Sequence, residues 1–91
     1  MQVTVHIPGP LLPYSRGERH LVLAASTVRE ALAALERSHP AVHRSICDET
    51  GAVRRHVNLF VNNSLLPKRE GLDTALVPGD VLTIMPAVSG G

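Results

Sequence analysis

The stretch Ala87-Val88-Ser89-Gly90-Gly91 is where residue type and spacing concentrate chemistry on one group. Gly90 and Gly91 carry no Cβ, so the pair can lie extended in a slot that excludes any side chain. The carboxylate of Gly91 is then the reactive group at the tip. Ala87, Val88, Ser89 and Gly90 are the residues that would thread behind it. Glycine is entropically costly to order, so such a tail is expected to move until a partner holds it. The reading is of a body that presents one carboxylate for activation.

No other constellation competes. The chain has five histidines. His39 and His43 are four apart, but Pro40 interrupts a shared helix, and His6, His20 and His56 are expected singly on strands. No Cys/His spacing of a zinc site is present, so no metal is expected. Cys47 is the sole cysteine, and Asp48 and Glu49 beside it disfavour a thiolate, so it reads as packing. Asp48, Glu49, Asp73 and Asp80 read as turn acids. Neither a nucleophile elbow nor a phosphate loop is found, and no catalytic residue is assigned.

The composition bounds the classes. A chain of 91 residues suits one domain with one core, and 44% apolar residues are enough to build it. Tyr14 and Phe60 are the two aromatic residues and the net charge is +1, which gives no basis for nucleic-acid or membrane binding. The lone cysteine, with neither a signal peptide nor a membrane span recognisable, leads to the expectation of a cytoplasmic protein, monomeric alone.

The elements that must position the tail follow from periodicity. Gln2 to Ile7 alternates, with Val3, Val5 and Ile7 inward, and Pro8-Gly9-Pro10 ends it. After a long connection through Glu18, Arg19 to Ala24 reads as a second, antiparallel strand. Thr27 and Glu30 have capping-box spacing, and Val28, Ala31, Leu32 and Leu35 then make one helical stripe up to Pro40. It is the one long helix expected. Between Ala41 and His56 only a turn at Asp48-Glu49-Thr50-Gly51 is clear; Val42, Ile46 and Val53 would enter the core from a loop or a short helical turn. Val57 to Asn62 is a strand. Leu65-Leu66 would be a short edge strand blunted by Pro67, Lys68, Arg69 and Glu70. Gly71 to Leu76 reads as irregular or 3₁₀, Pro78-Gly79-Asp80 reverses the chain, and Val81 to Met85 is the last strand.

One amphipathic helix over a mixed sheet closes both apolar surfaces, and the helix lets the first and last strands lie parallel. The expected fold is α+β, a ubiquitin-like β-grasp with a mixed four- to five-stranded sheet and one main helix on one face. Residues 1–86 form the domain and 87–91 the tail. In the last strand Leu82 and Ile84 would pack under the helix, leaving Thr83 and Met85 on the opposite face with Phe60. That trio is a candidate docking patch; the bland alternative is that the Pro8–Glu18 connection covers it.

The segment from Pro78 through Gly-Asp, the apolar strand, Pro86-Ala87-Val88 and Gly90-Gly91 resembles the end of ThiS/MoaD-type sulfur-carrier proteins, with Val57 to Asn62 at the matching place. The opening Met1 to Pro8 and the long segment through His56 are most similar to the carriers of the cysteine-biosynthesis branch. This resemblance implies that an E1-like adenylyl/sulfurtransferase uses ATP to adenylate Gly91, and that sulfur then replaces AMP to give a thiocarboxylate. It implies a sulfur-accepting synthase, in the cysteine branch a cysteine-synthase-like enzyme using pyridoxal phosphate, and a JAMM-type metalloprotease that restores Gly91. The carrier itself binds neither cofactor and is not an enzyme. Thiamin, molybdopterin, a secondary metabolite or tRNA are the other acceptors. Two further readings stand beside it: a protein modifier conjugated through Gly91, and a β-grasp binding module that never uses its terminus.

Overall fold

The computed structural model describes residues 2–67 and 70–86. Five strands form one sheet in the order β2-β1-β5-β3-β4, where β1 is Gln2–His6, β2 His20–Ala24, β3 Val57–Val61, β4 Ser64–Leu65 and β5 Val81–Pro86. The β1–β5 pair is parallel and the other three pairs are antiparallel. The last strand is thus the centre of the sheet, between the first and the third.

Alternation sorts the two faces. Val3, Val5, Leu21, Val57, Leu59, Leu82 and Ile84 are buried beneath two helices, α1 (Val28–Ser38) and α2 (Pro40–Ile46). From α1 the stripe Val28, Ala31, Leu32 and Leu35 enters the same core. Burying each larger side chain of that stripe contributes about 1.5–3 kcal/mol.

The cap of α1 differs in one detail from a reciprocal box. Thr27 Oγ1 accepts from the Glu30 amide at 3.1 Å. The Glu30 carboxylate reaches past Thr27 and accepts from the backbone N–H and the hydroxyl of Ser26, at 2.8 and 2.7 Å. These hydrogen bonds favour the charged form and hold its pKa below the ordinary glutamate value, the backbone bond most strongly.

Two segments without a clear element in the sequence form short helices. After α1, His39 turns out of the helical region (φ −138°, ψ 68°), and Pro40 opens α2 at its first position, where its missing N–H costs nothing. Val42 and Ile46 are fully buried on this second helix, so the short helical turn, not the loop, is what forms. The Pro8–Glu18 connection contains a 3₁₀ segment, Gly9–Ser15, which packs against α2 and buries Leu11 and Ser15. It lies with the helices. A second 3₁₀ segment, Glu70–Asp73, follows β4. Lys68 and Arg69, expected to blunt that edge, lie outside the described residues.

Candidate functional site

The tail residues Ala87, Val88, Ser89, Gly90 and Gly91 lie outside the described residues. What is defined is the strand that delivers them. β5 ends at Pro86, which is in register with Val57. Its start is fixed by a cluster of short contacts. The Asn62 amide donates to Val81 O at 2.7 Å, and Val81 N–H donates to Asn62 Oδ1 at 3.1 Å. Asn62 Nδ2 donates to Asp80 Oδ1 at 3.2 Å, while the other Asp80 oxygen accepts from Val77 N–H at 2.9 Å. Asn62 has a positive φ of 55°, which asparagine tolerates better than most residues. Gly79, with φ 91°, supplies the turn before the strand, and its N–H donates to Gln2 O at 3.1 Å. In the sequence Asp80 reads as a turn acid. Its contact with Asn62, eighteen residues away, needed the fold.

On the face turned away from the helices, the register aligns one row across all five strands. His20 is opposite His6, His6 beside Thr83, Thr83 opposite Phe60, and Phe60 opposite Leu65. Met85 and Asn58 make the next row. Phe60, Thr83 and Met85 do share this face. Met85 is 51% exposed, Leu65 58%, and Phe60 is half-buried. Leu65 and Val22, the latter 60% exposed, extend the apolar character of the surface beyond those three. Leu65 could have been added from the hairpin register alone, since a two-residue loop at Asn62-Asn63 puts it on the side of Phe60.

His6 and His20, expected singly, are a cross-strand pair with ring centroids 4.3 Å apart in an edge-to-face arrangement. His39 faces Glu18 instead, Nε2 to Oε1 3.4 Å, and His43 lies 4.0 Å from Glu36. Among the described residues no group of three or more His, Cys, Asp or Glu could hold a metal.

Cys47 is buried at the end of α2. Burial, reinforced by the Asp48 carboxylate, pushes its thiol up to about 11, which makes it a poor nucleophile. Asp48 Oδ1 accepts from the Thr50 amide, the Thr50 hydroxyl and the Ala52 amide at 2.8, 2.6 and 3.2 Å, as a turn acid does. A groove of about 700 Å³ runs beside this turn, lined by Arg29, Glu36, Arg44 and Asp48 among others. Its charges are of both signs. No helix among the described residues is long and apolar enough to cross a membrane.

Comparison with known proteins fits this geometry. The sulfur carrier protein CysO of Mycobacterium tuberculosis is 34% identical over 93 residues, covering 100% of both chains. The crystal structure of the Amycolatopsis orientalis BexX/CysO complex contains a chain that superposes with a TM-score of 0.87 at 34% identity, covering 98% of this chain and 99% of that one. Small archaeal modifier protein 1 from Haloferax volcanii superposes with a TM-score of 0.85 at 28% identity over 100% of both chains. The fold is therefore the ubiquitin-like β-grasp. A model of the ThiS family matches residues 5–91, from the first strand through the terminal glycines, and this chain belongs to that family.

Proposed function

We propose that this chain is a sulfur carrier, a protein substrate and not a catalyst, whose working group is the Gly91 carboxylate. The observation that carries the reading is the family match, which runs from Val5 in the first strand to Gly91. In the first step a Gly91 oxygen attacks the α-phosphate of ATP on an activating enzyme and pyrophosphate leaves. In the second a hydrosulfide equivalent attacks the acyl-adenylate carbonyl, the C–O bond to AMP breaks, and a terminal thiocarboxylate remains. Adenylation turns a resonance-stabilised carboxylate into an acyl group with a good leaving group. The hard chemistry stays with the partners, which supply the nucleotide site.

The division of labour is a β-grasp domain over residues 1–86 and a tail over 87–91, in which Ala87, Val88, Ser89 and Gly90 thread the partner's channel. Phe60, Thr83 and Met85 dock, because they share the face from which β5 runs toward that tail. The favoured acceptor is an aminoacrylate on pyridoxal phosphate in a cysteine-forming synthase, given the full-length similarity to CysO. A JAMM-type protease then regenerates Gly91. The carrier acts as a single chain in the cytoplasm.

A second reading, conjugation of Gly91 to lysine, is favoured by the likeness to small archaeal modifier protein 1. Intact mass after incubation with ATP, the activating enzyme and sulfide separates the two. Exchange of one oxygen for sulfur at Gly91, absent from a variant lacking Gly90 and Gly91, is the expected result. Conjugate ladders in cell extract without thiocarboxylate would favour the modifier. An unchanged mass in both assays would sink the activation chemistry altogether.

A further inference from the structure

The sheet carries a feature that sulfur transfer does not use. His6 and His20 are direct partners across β1 and β2. Ile7 N–H donates to Arg19 O at 2.8 Å, so Ile7–Arg19 is a hydrogen-bonded pair of the antiparallel ladder. The adjacent pair, His6–His20, is by alternation non-hydrogen-bonded, the kind in which facing side chains come closest. Both side chains are exposed on the face away from the helices, and the ring centroids are 4.3 Å apart. A tetrahedral ion bound at about 2.0–2.1 Å needs its two imidazole nitrogens about 3.4 Å from one another. Side chains with rings this close can bring one nitrogen of each to that separation through small changes at χ1 together with rotation about χ2.

We propose that His6 and His20 form a two-histidine chelate for zinc, one of the borderline divalent transition ions that neutral imidazole suits. Among the described residues no third acidic, histidine or cysteine ligand joins them. The remaining positions therefore go to water or to a donor group of a protein seated on this face. His6 is in register with Thr83, and Thr83 with Phe60, so the ion would sit in the row that crosses the apolar patch. Zinc would tie β1 to β2 without touching the core.

The test is a zinc titration of the full chain, followed through imidazole nitrogen and carbon NMR signals. The rings of His6 and His20 should shift together and saturate at one equivalent, before His39, His43 or His56 moves. His6→Ala and His20→Ala should each weaken binding at least about tenfold, since losing even an outer partner of a metal ligand commonly costs that much. The thermal midpoint of the wild type should rise with zinc and that of either variant should not. Both residues are exposed, so circular dichroism of the variants serves as the folding control. Equal zinc affinity of wild type and both folded variants, earlier movement of another histidine, or no saturation at millimolar zinc would overturn the proposal. None of these outcomes bears on the thiocarboxylate reading, which the mass assay tests separately.

Discussion

Asn62 Nδ2 donates to Asp80 Oδ1 at 3.2 Å, and the same Asn62 side chain accepts from the amide of Val81 through its oxygen. One amide group thus joins the end of β3 to the start of β5. Replacing Asn62 by alanine removes both hydrogen bonds and leaves a Cβ residue without local support at φ 55°. Each bond contributes about 0.5–1.5 kcal/mol. A left-handed backbone at a residue other than glycine or asparagine adds about 1–2 kcal/mol. Asn62→Ala should therefore destabilise by about 2–5 kcal/mol in urea unfolding, and Asn62→Gly, which keeps the backbone freedom, by less. Equal losses for the two would mean that the side-chain bonds alone matter.

The proposed docking role of Phe60 makes a kinetic prediction. Phe60 is half-buried on the outer face, opposite Thr83 and Leu65. Truncating a residue at the centre of an interface commonly costs more than 1 kcal/mol of binding. Phe60→Ala should raise the KM of the activating enzyme for the carrier about fivefold or more. Turnover at saturating carrier and the circular dichroism spectrum should stay as in the wild type. Unchanged KM would remove Phe60 from the docking surface.

Acid sensitivity should trace in part to Glu30. Its folded-state pKa is lowered, chiefly by the Ser26 amide, so the folded chain binds fewer protons than the unfolded chain across the carboxylate range. Stability therefore rises with pH there. The contribution is complete above the unfolded value and fades as pH falls through the lower folded one. Glu30→Gln should flatten stability against pH below about pH 5. Asp48, lowered by the Thr50 side-chain and backbone bonds, acts in the same direction, so the flattening should be partial. A variant with the full acid slope of the wild type would exclude Glu30 as a contributor.

Cys47 should be inert in the native state. With a thiol pushed up to about 11, about one molecule in a thousand carries a thiolate at pH 8, and the side chain is buried as well. Iodoacetamide should label it rapidly in urea and only on the timescale of opening in buffer. Fast native labelling would contradict the burial.

What could be read from the residues alone was whatever local periodicity or capping chemistry encodes. Val3-Thr4-Val5, Leu82-Thr83-Ile84 and the Val28/Ala31/Leu32/Leu35 stripe announce their inward faces, and Thr27 announces where α1 begins. The second helix was harder because Pro40 reads as a stop for α1. That the same proline also starts α2 depends on His39 turning the chain between them. Contacts set by register were out of reach altogether. His6 and His20 are fourteen positions apart, and only the pairing of β1 with β2 makes them neighbours. Leu65 and Val22 are ordinary apolar residues until the sheet shows which side they occupy. The Glu30 carboxylate bonds Ser26 one residue beyond the Thr27 cap, since the serine offers two donors there.

Because β5 is hydrogen-bonded along both edges, to β1 on one side and β3 on the other, a pull on its C-terminal end is a pull along the strand. Such a load falls on many ladder bonds in parallel instead of unzipping them one by one. An enzyme that drags the end of the chain into a deep channel would meet high mechanical resistance from the body it is holding. The domain should stay folded while its tip is worked on.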